Sequence, residues 1–515
     1  MTNKNLYIIA ASLLLTLPAM AQKELSGESE YRYNDASQLW RNTENTAGMT
    51  IDSISDRGIA HFNFDHTSGS YHRVQEGAQT NSLNFFTERY QKMGSYLYGY
   101  GKFHFNMGRT KERAWSDVMR TYNSNPYFAG SSIFGKYDFQ NFDLTARVAT
   151  INFSGWRFGA SLDYKVGDLS RLRDPRSRSK MLDYKITPSI TYSFGEHTLG
   201  LSGHYNRYKE SQPTPTTIQE EPNLYYYQMK GMEVAEGKLK GWSGYNREYV
   251  NHNFGGALTY GYKGRSFENV TEMSIQRGTE YIYEQYKREP GRYYTYLYDF
   301  QTQNRIHSEK MLHEINLKAS YQQAYADEYR PQLIITTDSV HGYTSNTYVN
   351  QFTYKKRYQL QAVAVGLHYR ANLLQGDAIG SYFGITGAFN SIHQKHLLPM
   401  STFKYHAMDV NLEYGIALLS NHRLWLDANT GYHFSNKAEL NLADESTIYA
   451  QNVLLPDMEY YAANYWNGKL QITYQLPITV KGYQNLWYIK GYAQTLQAKH
   501  NLNANTFGIT IGLFN

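Results

Sequence analysis

From about residue 58 to the last residue, apolar and polar side chains alternate with period two, and no other feature restricts the fold so tightly. Leu97, Gly99, Gly101, Phe103, Phe105 and Met107 face one way, and Tyr96, Tyr98, Tyr100, Lys102, His104 and Asn106 the other. The pattern returns around residues 186–194, 363–369, 383–389, 408–416, 424–432 and 506–514. Period two is the signature of a strand with two different faces. After the first residues of the chain, no apolar run approaches the roughly 20 residues that a membrane helix needs. A membrane protein built from such strands has to close them into a barrel, because only closure pairs every backbone group in lipid.

The two ends place the barrel. The chain opens with Lys4, an apolar run from Leu6 to Leu17 and the small-residue site Ala19-Met20-Ala21, which reads as an export signal over residues 1–21. It closes on Thr506-Phe507-Gly508-Ile509-Thr510-Ile511-Gly512-Leu513-Phe514, the alternation of a lipid-facing strand. Of 515 residues, 50 are Tyr, 23 Phe and 7 Trp, an aromatic excess that suits interfacial girdles and a polar lumen wall. The absence of Cys removes disulfides, thiolate metal sites and thiol nucleophiles. A net charge of +6 is mild and does not point to nucleic acid; basic loops facing lipid phosphates suit it better.

Residues 22–56 are polar, without a sustained period, and form either a periplasmic arm or a segment tucked into the barrel mouth. Residues 57–515 read as one barrel domain with no internal repeat. Short connections near 195–197, 263–266, 419–422 and 477–484 alternate with long polar ones near 109–127, 167–180, 211–243, 326–344, 393–401 and 437–457. In outer-membrane barrels short turns are periplasmic and long loops extracellular. The expected fold is an all-β transmembrane antiparallel barrel of roughly 16–18 strands, with about 14 possible. The ambiguity lies in 57–153, where 58–77 and 128–153 each read as one strand or two.

No G-x-S-x-G elbow, H-E-x-x-H pair or phosphate-binding glycine loop is present, so neither catalytic residues nor a cofactor is expected. His61, Asp65, His66 and His72 read as barrel-rim residues rather than metal ligands, and His393-Gln394-Lys395-His396 as a solvated loop. Arg171, Arg173, Arg176, Arg178 and Lys180 concentrate five cations in one expected surface loop. That loop would dock on lipopolysaccharide phosphates or draw an anionic solute to the mouth. In the wall, Asp409 and Glu413 share a polar face with their neighbour Asn411, and a tight turn brings Glu413 opposite or diagonal to Asp427 and Asn429. Lys469 and Lys490, on the following strands, are the expected compensating cations. These five charges are the candidate constriction of a pore, or a salt-bridged wall. The longest loop, 211–243, carries Tyr225-Tyr226-Tyr227 and is a candidate lid or docking site.

Thr506, Gly508, Ile511 and Leu513 resemble the C-terminal signal by which the barrel-assembly machinery recognises outer-membrane proteins. The Tyr-rich style, with Gln22 after the cleavage site, resembles barrels of the Bacteroidota. Asn45-Thr46-Ala47-Gly48 faintly resembles the turn near the hatch of long-chain fatty acid transporter-type barrels, without its proline. The chain does not resemble a TonB-dependent receptor, since its N-terminal segment is too short for that plug domain. The expectations are residence in the cell outer membrane and contacts with lipid, lipopolysaccharide and other outer-membrane proteins. The expected function is a pore or facilitator for small solutes, or else a scaffold subunit of an uptake, secretion or assembly complex.

Overall fold

The computed structural model describes residues 27–52, 56–218, 224–239, 245–419, 423–480 and 483–514. The export signal with Lys4, Leu6–Leu17, Ala19–Ala21 and Gln22 lies outside the described residues, as do parts of the expected turns 419–422 and 477–484 and of the loop 211–243. Among the described residues, eighteen strands form one antiparallel sheet. The first, Arg57–Gly69, pairs with the last, Asn503–Phe514, with Ile59 opposite Phe514 and Gly69 opposite Ala504. That pairing closes the ring and leaves no free edge.

The expected range of 16–18 strands, with 14 possible, is corrected to eighteen. Arg57–Gly69 is a single strand that ends in the turn before Gln79–Met93. Gly135–Thr150 is likewise one barrel strand, while Ala129–Ser131 belongs to a separate small sheet. Three loop readings are also corrected. Trp156–Arg171 and Arg178–Phe194 carry strand structure through most of 167–180. Met311–Asp338 and Tyr343–Leu374 run for 28 and 32 residues as a hairpin across 326–344. His393–His396 ends the strand Ile379–His396 instead of lying in a loop. A crossing needs about 9–11 residues, and the barrel strands run from 12 to 32 residues, so the longer ones project well past the membrane. There lipid no longer enforces the alternation and the sequence resembles a loop.

Phe62, Phe64, Leu199, Leu201, Leu258, Met273, Ile275, Ile509 and Ile511 are exposed on the outer face and build the apolar band. Register reinforces it: Phe62 stands opposite Ile511 on one side and Phe85 on the other. The intervening positions turn polar groups inward. Thr510 stands opposite Asn63, Asn63 opposite Asn84 and Asn84 opposite Asn106, a belt of hydrogen-bonding side chains around part of the lumen.

The ends of the barrel differ. Turns such as 94–96, 195–196 and 264–266 are brief, and both described termini lie at that end. At the other end the connections 114–134 and 442–464 and the described parts of 213–246 fold inward. Ala129–Ser131, Tyr225–Gly231 and Val234–Leu239 form a three-stranded sheet there. Trp115, Val118, Tyr127, Phe128, Tyr227, Met229, Tyr449 and Val453 of these loops pack on Tyr249, Ile282, Tyr293, Tyr358 and Leu360 of the wall. This apolar cluster ties the inward loops to the wall at the long-loop mouth.

Candidate functional site: a plugged polar lumen

The short-turn end is occupied by the N-terminal segment. The helix Glu28–Ser37 begins with Glu28 and Glu30, acids that suit the positive end of a helix. Two 3-10 turns follow, Trp40–Asn42 and Thr46–Thr50. A ten-residue polar helix is marginal by itself; here the lumen wall holds it.

Arg32 is the main anchor. Its two terminal nitrogens donate to the two oxygens of Asp427, each at 2.9 Å, and its Nε donates to Glu28 at 2.9 Å. The guanidinium lies 4.4 Å over the Trp425 ring and 5.5 Å from the Tyr382 ring. Tyr382 donates its hydroxyl to Asp427 at 2.7 Å, Gln471 donates to the same carboxylate at 3.1 Å, and Trp425 donates its indole N–H to Ser29 at 3.1 Å. Glu88 gathers a second group: Tyr31 donates at 2.5 Å, Tyr100 at 2.9 Å and Arg41 at 3.1 Å. Arg305 and Gln303 donate to the backbone oxygens of Ala36 and Leu39 at 2.5 and 3.0 Å.

Further along, Glu44 accepts from Lys185 at 2.5 Å and lies 3.0 Å from His204. Burial opposes its ionisation, but the His204 contact and the Lys185 charge outweigh it and hold the carboxyl down to about 2. Glu44 also donates its backbone N–H to Glu272 at 3.1 Å. Asn45 donates to the backbone oxygen of Ile190 at 3.1 Å, and Ala47 donates its N–H to Ser189 at 3.0 Å. Close approach is required twice here. A Cβ on Gly48 would stand 1.9 Å from the Trp40 ring, and one on Gly159 would stand 2.4 Å from the backbone nitrogen of Ala47. Asp52 accepts the N–H of Trp40 at 3.0 Å, and burial pushes its carboxyl up to about 7.

Beside this plug, in the lumen, lies a chamber of about 560 Å³. Asn42, Thr43 and Glu44 form part of its lining, facing Arg147, Asp163, Lys185, Glu272, Asp299 and Lys318. The wall residues Ala364, Gly366 and Ala388 are small and leave the space open.

The five expected wall charges do not form one ring. Glu413 stands opposite Asn429 and one pair from Asp427, but the expected compensation by Lys469 and Lys490 is corrected. Arg370 binds Glu413 through two nitrogens at 2.8 and 3.0 Å, with His368 at 2.8 Å, and Arg32 compensates Asp427. Asp409 lies 2.7 Å from His433. Lys469 sits 4.7 Å from the Tyr492 ring, and Lys490 sits 4.0 Å from Glu28 at the root of the plug. The expected exposed basic loop is corrected too. Arg171 is buried and donates to Tyr137 at 2.7 Å and to the backbone oxygen of Ile133 at 2.6 Å. Arg176 pairs with Asp174 at 2.9 Å, Arg178 with Asp168 at 2.6 Å, and Arg173 donates to the backbone oxygen of Phe134 at 3.2 Å. Only Lys180 and Arg173 of the five are exposed without a carboxylate partner among the described residues. His61 faces Tyr488 at 3.1 Å and His66 faces Asn81 at 2.6 Å. No group of three His, Asp or Glu suited to a metal exists among the described residues.

Arg32, Arg41 and Glu44 are the lumen residues that the sequence did not single out. Their one local signal is the stretch beside them, Asn45-Thr46-Ala47-Gly48, whose amide and backbone nitrogens dock on the wall.

A family model described as "Family of unknown function (DUF6850)" matches residues 46–515. No curated protein matches by sequence. Solved structures similar to the barrel include the copper transporter OprC, at 10% identity and a TM-score of 0.36, covering 88% of this chain and 81% of that one. The siderophore receptor PiuA from Acinetobacter baumannii is similar at 9% identity and a TM-score of 0.36, covering 90% and 82%. The FrpB iron transporter from Neisseria meningitidis is similar at 8% identity and a TM-score of 0.38, covering 93% and 83%.

Proposed function

We propose that this chain, which belongs to the DUF6850 family of unknown function, is a gated outer-membrane facilitator for small polar solutes, plugged from the periplasmic side by residues 27–52. The observation that carries this reading is the chemistry of the seat. The plug is held by ion pairs and hydrogen bonds to the wall, chiefly Arg32 on Asp427 and Glu44 on Lys185, around a charged chamber. Water can replace such contacts one by one, so the net cost of leaving is a fraction of their gross strength. A polar lining also supports a polar solute over an apolar one, despite the faint fatty acid transporter-type resemblance of Asn45–Gly48. The apolar band supports contact with outer-membrane lipid, the C-terminal strand supports recognition by the assembly machinery, and the exposed cations Arg173 and Lys180 support contact with lipopolysaccharide.

Single-channel conductance in planar bilayers tests the reading. The intact chain should be mostly closed, and a chain lacking residues 27–50 should conduct steadily. A barrel that stays sealed without the segment refutes it. One observation favours the second reading, a scaffold subunit. The hairpin between Tyr329 and Arg357 stands clear of neighbouring strands and exposes Ile335, Val340, Tyr343 and Phe352. Recovery of the chain alone from solubilised outer membranes would count against that alternative.

A further inference from the structure

We propose that the chamber is a binding site for a small zwitterion, of the size of an amino acid or dipeptide, held between Asp299 and Lys318. The assignment deepens the facilitator reading and rests on it for how the solute arrives. Three cations and four anions line the chamber, so it favours neither a net anion nor a net cation. Most are committed. Lys185 binds Glu44, Glu272 accepts from Thr259 and Gln301, Asp163 accepts from Thr145, and Arg147 donates to the backbone oxygen of Arg41. Asp299 and Lys318 have no hydrogen-bond or ion-pair partner among the described residues.

Their positions define what can engage both. Asp299 stands opposite Ser320 and Lys318 opposite Gln301, so the two charges are diagonal neighbours on adjacent strands. Such neighbours lie about 7–8 Å apart at the backbone, a span that one molecule carrying an ammonium and a carboxylate can bridge. The small wall residues Ala364, Gly366 and Ala388 leave room beside them. The volume of about 560 Å³ falls within the range of small-ligand pockets. A sugar site is disfavoured by composition. The chain has 50 Tyr and 7 Trp, yet none lines the chamber to stack on a ring face. Phe300 borders it only from a position whose pair partner, Met273, is exposed on the lipid face.

Equilibrium dialysis on the purified full chain in detergent tests the site, with L-alanyl-L-alanine as the probe. N-acetyl-L-alanyl-L-alanine, L-alanyl-L-alaninamide and maltose serve as comparisons. The dipeptide should bind saturably, and each derivative that lacks one charge should bind about tenfold more weakly. Asp299→Asn should erase the preference for a free ammonium, and Lys318→Gln the preference for a free carboxylate, with circular dichroism unchanged. Absence of binding, equal binding of all four probes, or preferences that survive both substitutions would overturn the assignment. Conductance of the plug-deleted chain without such discrimination leaves the facilitator standing and removes the zwitterion site. Charge-dependent binding in a barrel that never conducts does the reverse.

Discussion

Arg32→Ala should release the plug. The pair with Asp427 is bidentate at 2.9 Å, and the two side chains are only 17% and 12% exposed. Removing one partner of a buried pair costs about 3–5 kcal/mol, and the partial exposure of both side chains lowers that to about 2 kcal/mol. Loss of the guanidinium from over the Trp425 ring adds about 1 kcal/mol. A total of about 3 kcal/mol multiplies the unseated population by about 100-fold. The chain has no Cys, so Ala36→Cys gives a clean reporter at a site 6% exposed beneath the seated helix. Its labelling by a bulky maleimide should accelerate about 100-fold in the Arg32→Ala background. Asp427→Ala should do the same. The double variant should cost much less than the sum, because the stranded charge is gone. Labelling that changes by less than about threefold in both single variants, a shift below about 0.7 kcal/mol, would refute the assignment of Arg32 as the anchor.

The seat and the cap should fail separately. Gly48→Val places a side chain against the Trp40 ring and should speed labelling of the Ala36→Cys reporter by at least about fivefold, as a clash of about 1–3 kcal/mol requires. The Asp52 carboxyl, raised by burial to about 7, prefers its neutral form when seated. Its contribution to seating is therefore full below the ordinary carboxyl range near about 4 and is lost as pH rises through about 7. Labelling, divided by the rate for a free thiol at the same pH, should slow between pH 8 and pH 5, and Asp52→Asn should flatten that slope. Trp115→Ala empties a buried site between Tyr227 and Tyr449 at the opposite mouth and should cost about 3–5 kcal/mol. Proteolysis of 114–134 should quicken while labelling at Ala36→Cys stays constant.

The lipid band was legible because lipid enforces a strict rule. Phe62, Phe64, Ile509 and Ile511 had to alternate with residues facing the lumen, and Glu413 had to fall near Asn429 once the turn was tight. Past the membrane that rule lapses. Arg178 and Asp168 face water on paired strands and cancel each other's charge, so a stretch of sheet carried the composition of a loop. The plug was illegible for a different reason. Arg32 and Asp427 are 395 residues apart, and an irregular segment that docks through single polar contacts leaves no period behind. The compensating cation for Asp427 was therefore sought on the next strand, at Lys469, when it sits in the segment before the barrel.

The two closures differ in the forces that hold them, and that difference assigns the moving part. The loops at the long-loop mouth are held by Trp115, Tyr127, Phe128, Met229 and Tyr449, whose apolar contacts water does not replace. The short-turn end is filled by a segment that buries Leu39, Trp40 and Met49 in small apolar clusters with the wall, and whose remaining contacts are carboxylate, guanidinium, amide and hydroxyl, each of which water also satisfies. Both can be tight at rest. The second exchanges the larger share of its partners for solvent at small net cost, and its ordering entropy, about 1–2 kcal/mol per residue, favours release. Any solute that crosses this barrel should thus find its changing barrier at residues 27–52. Variants of the apolar mouth should alter stability and access to the chamber, leaving the plug's opening rate as it was.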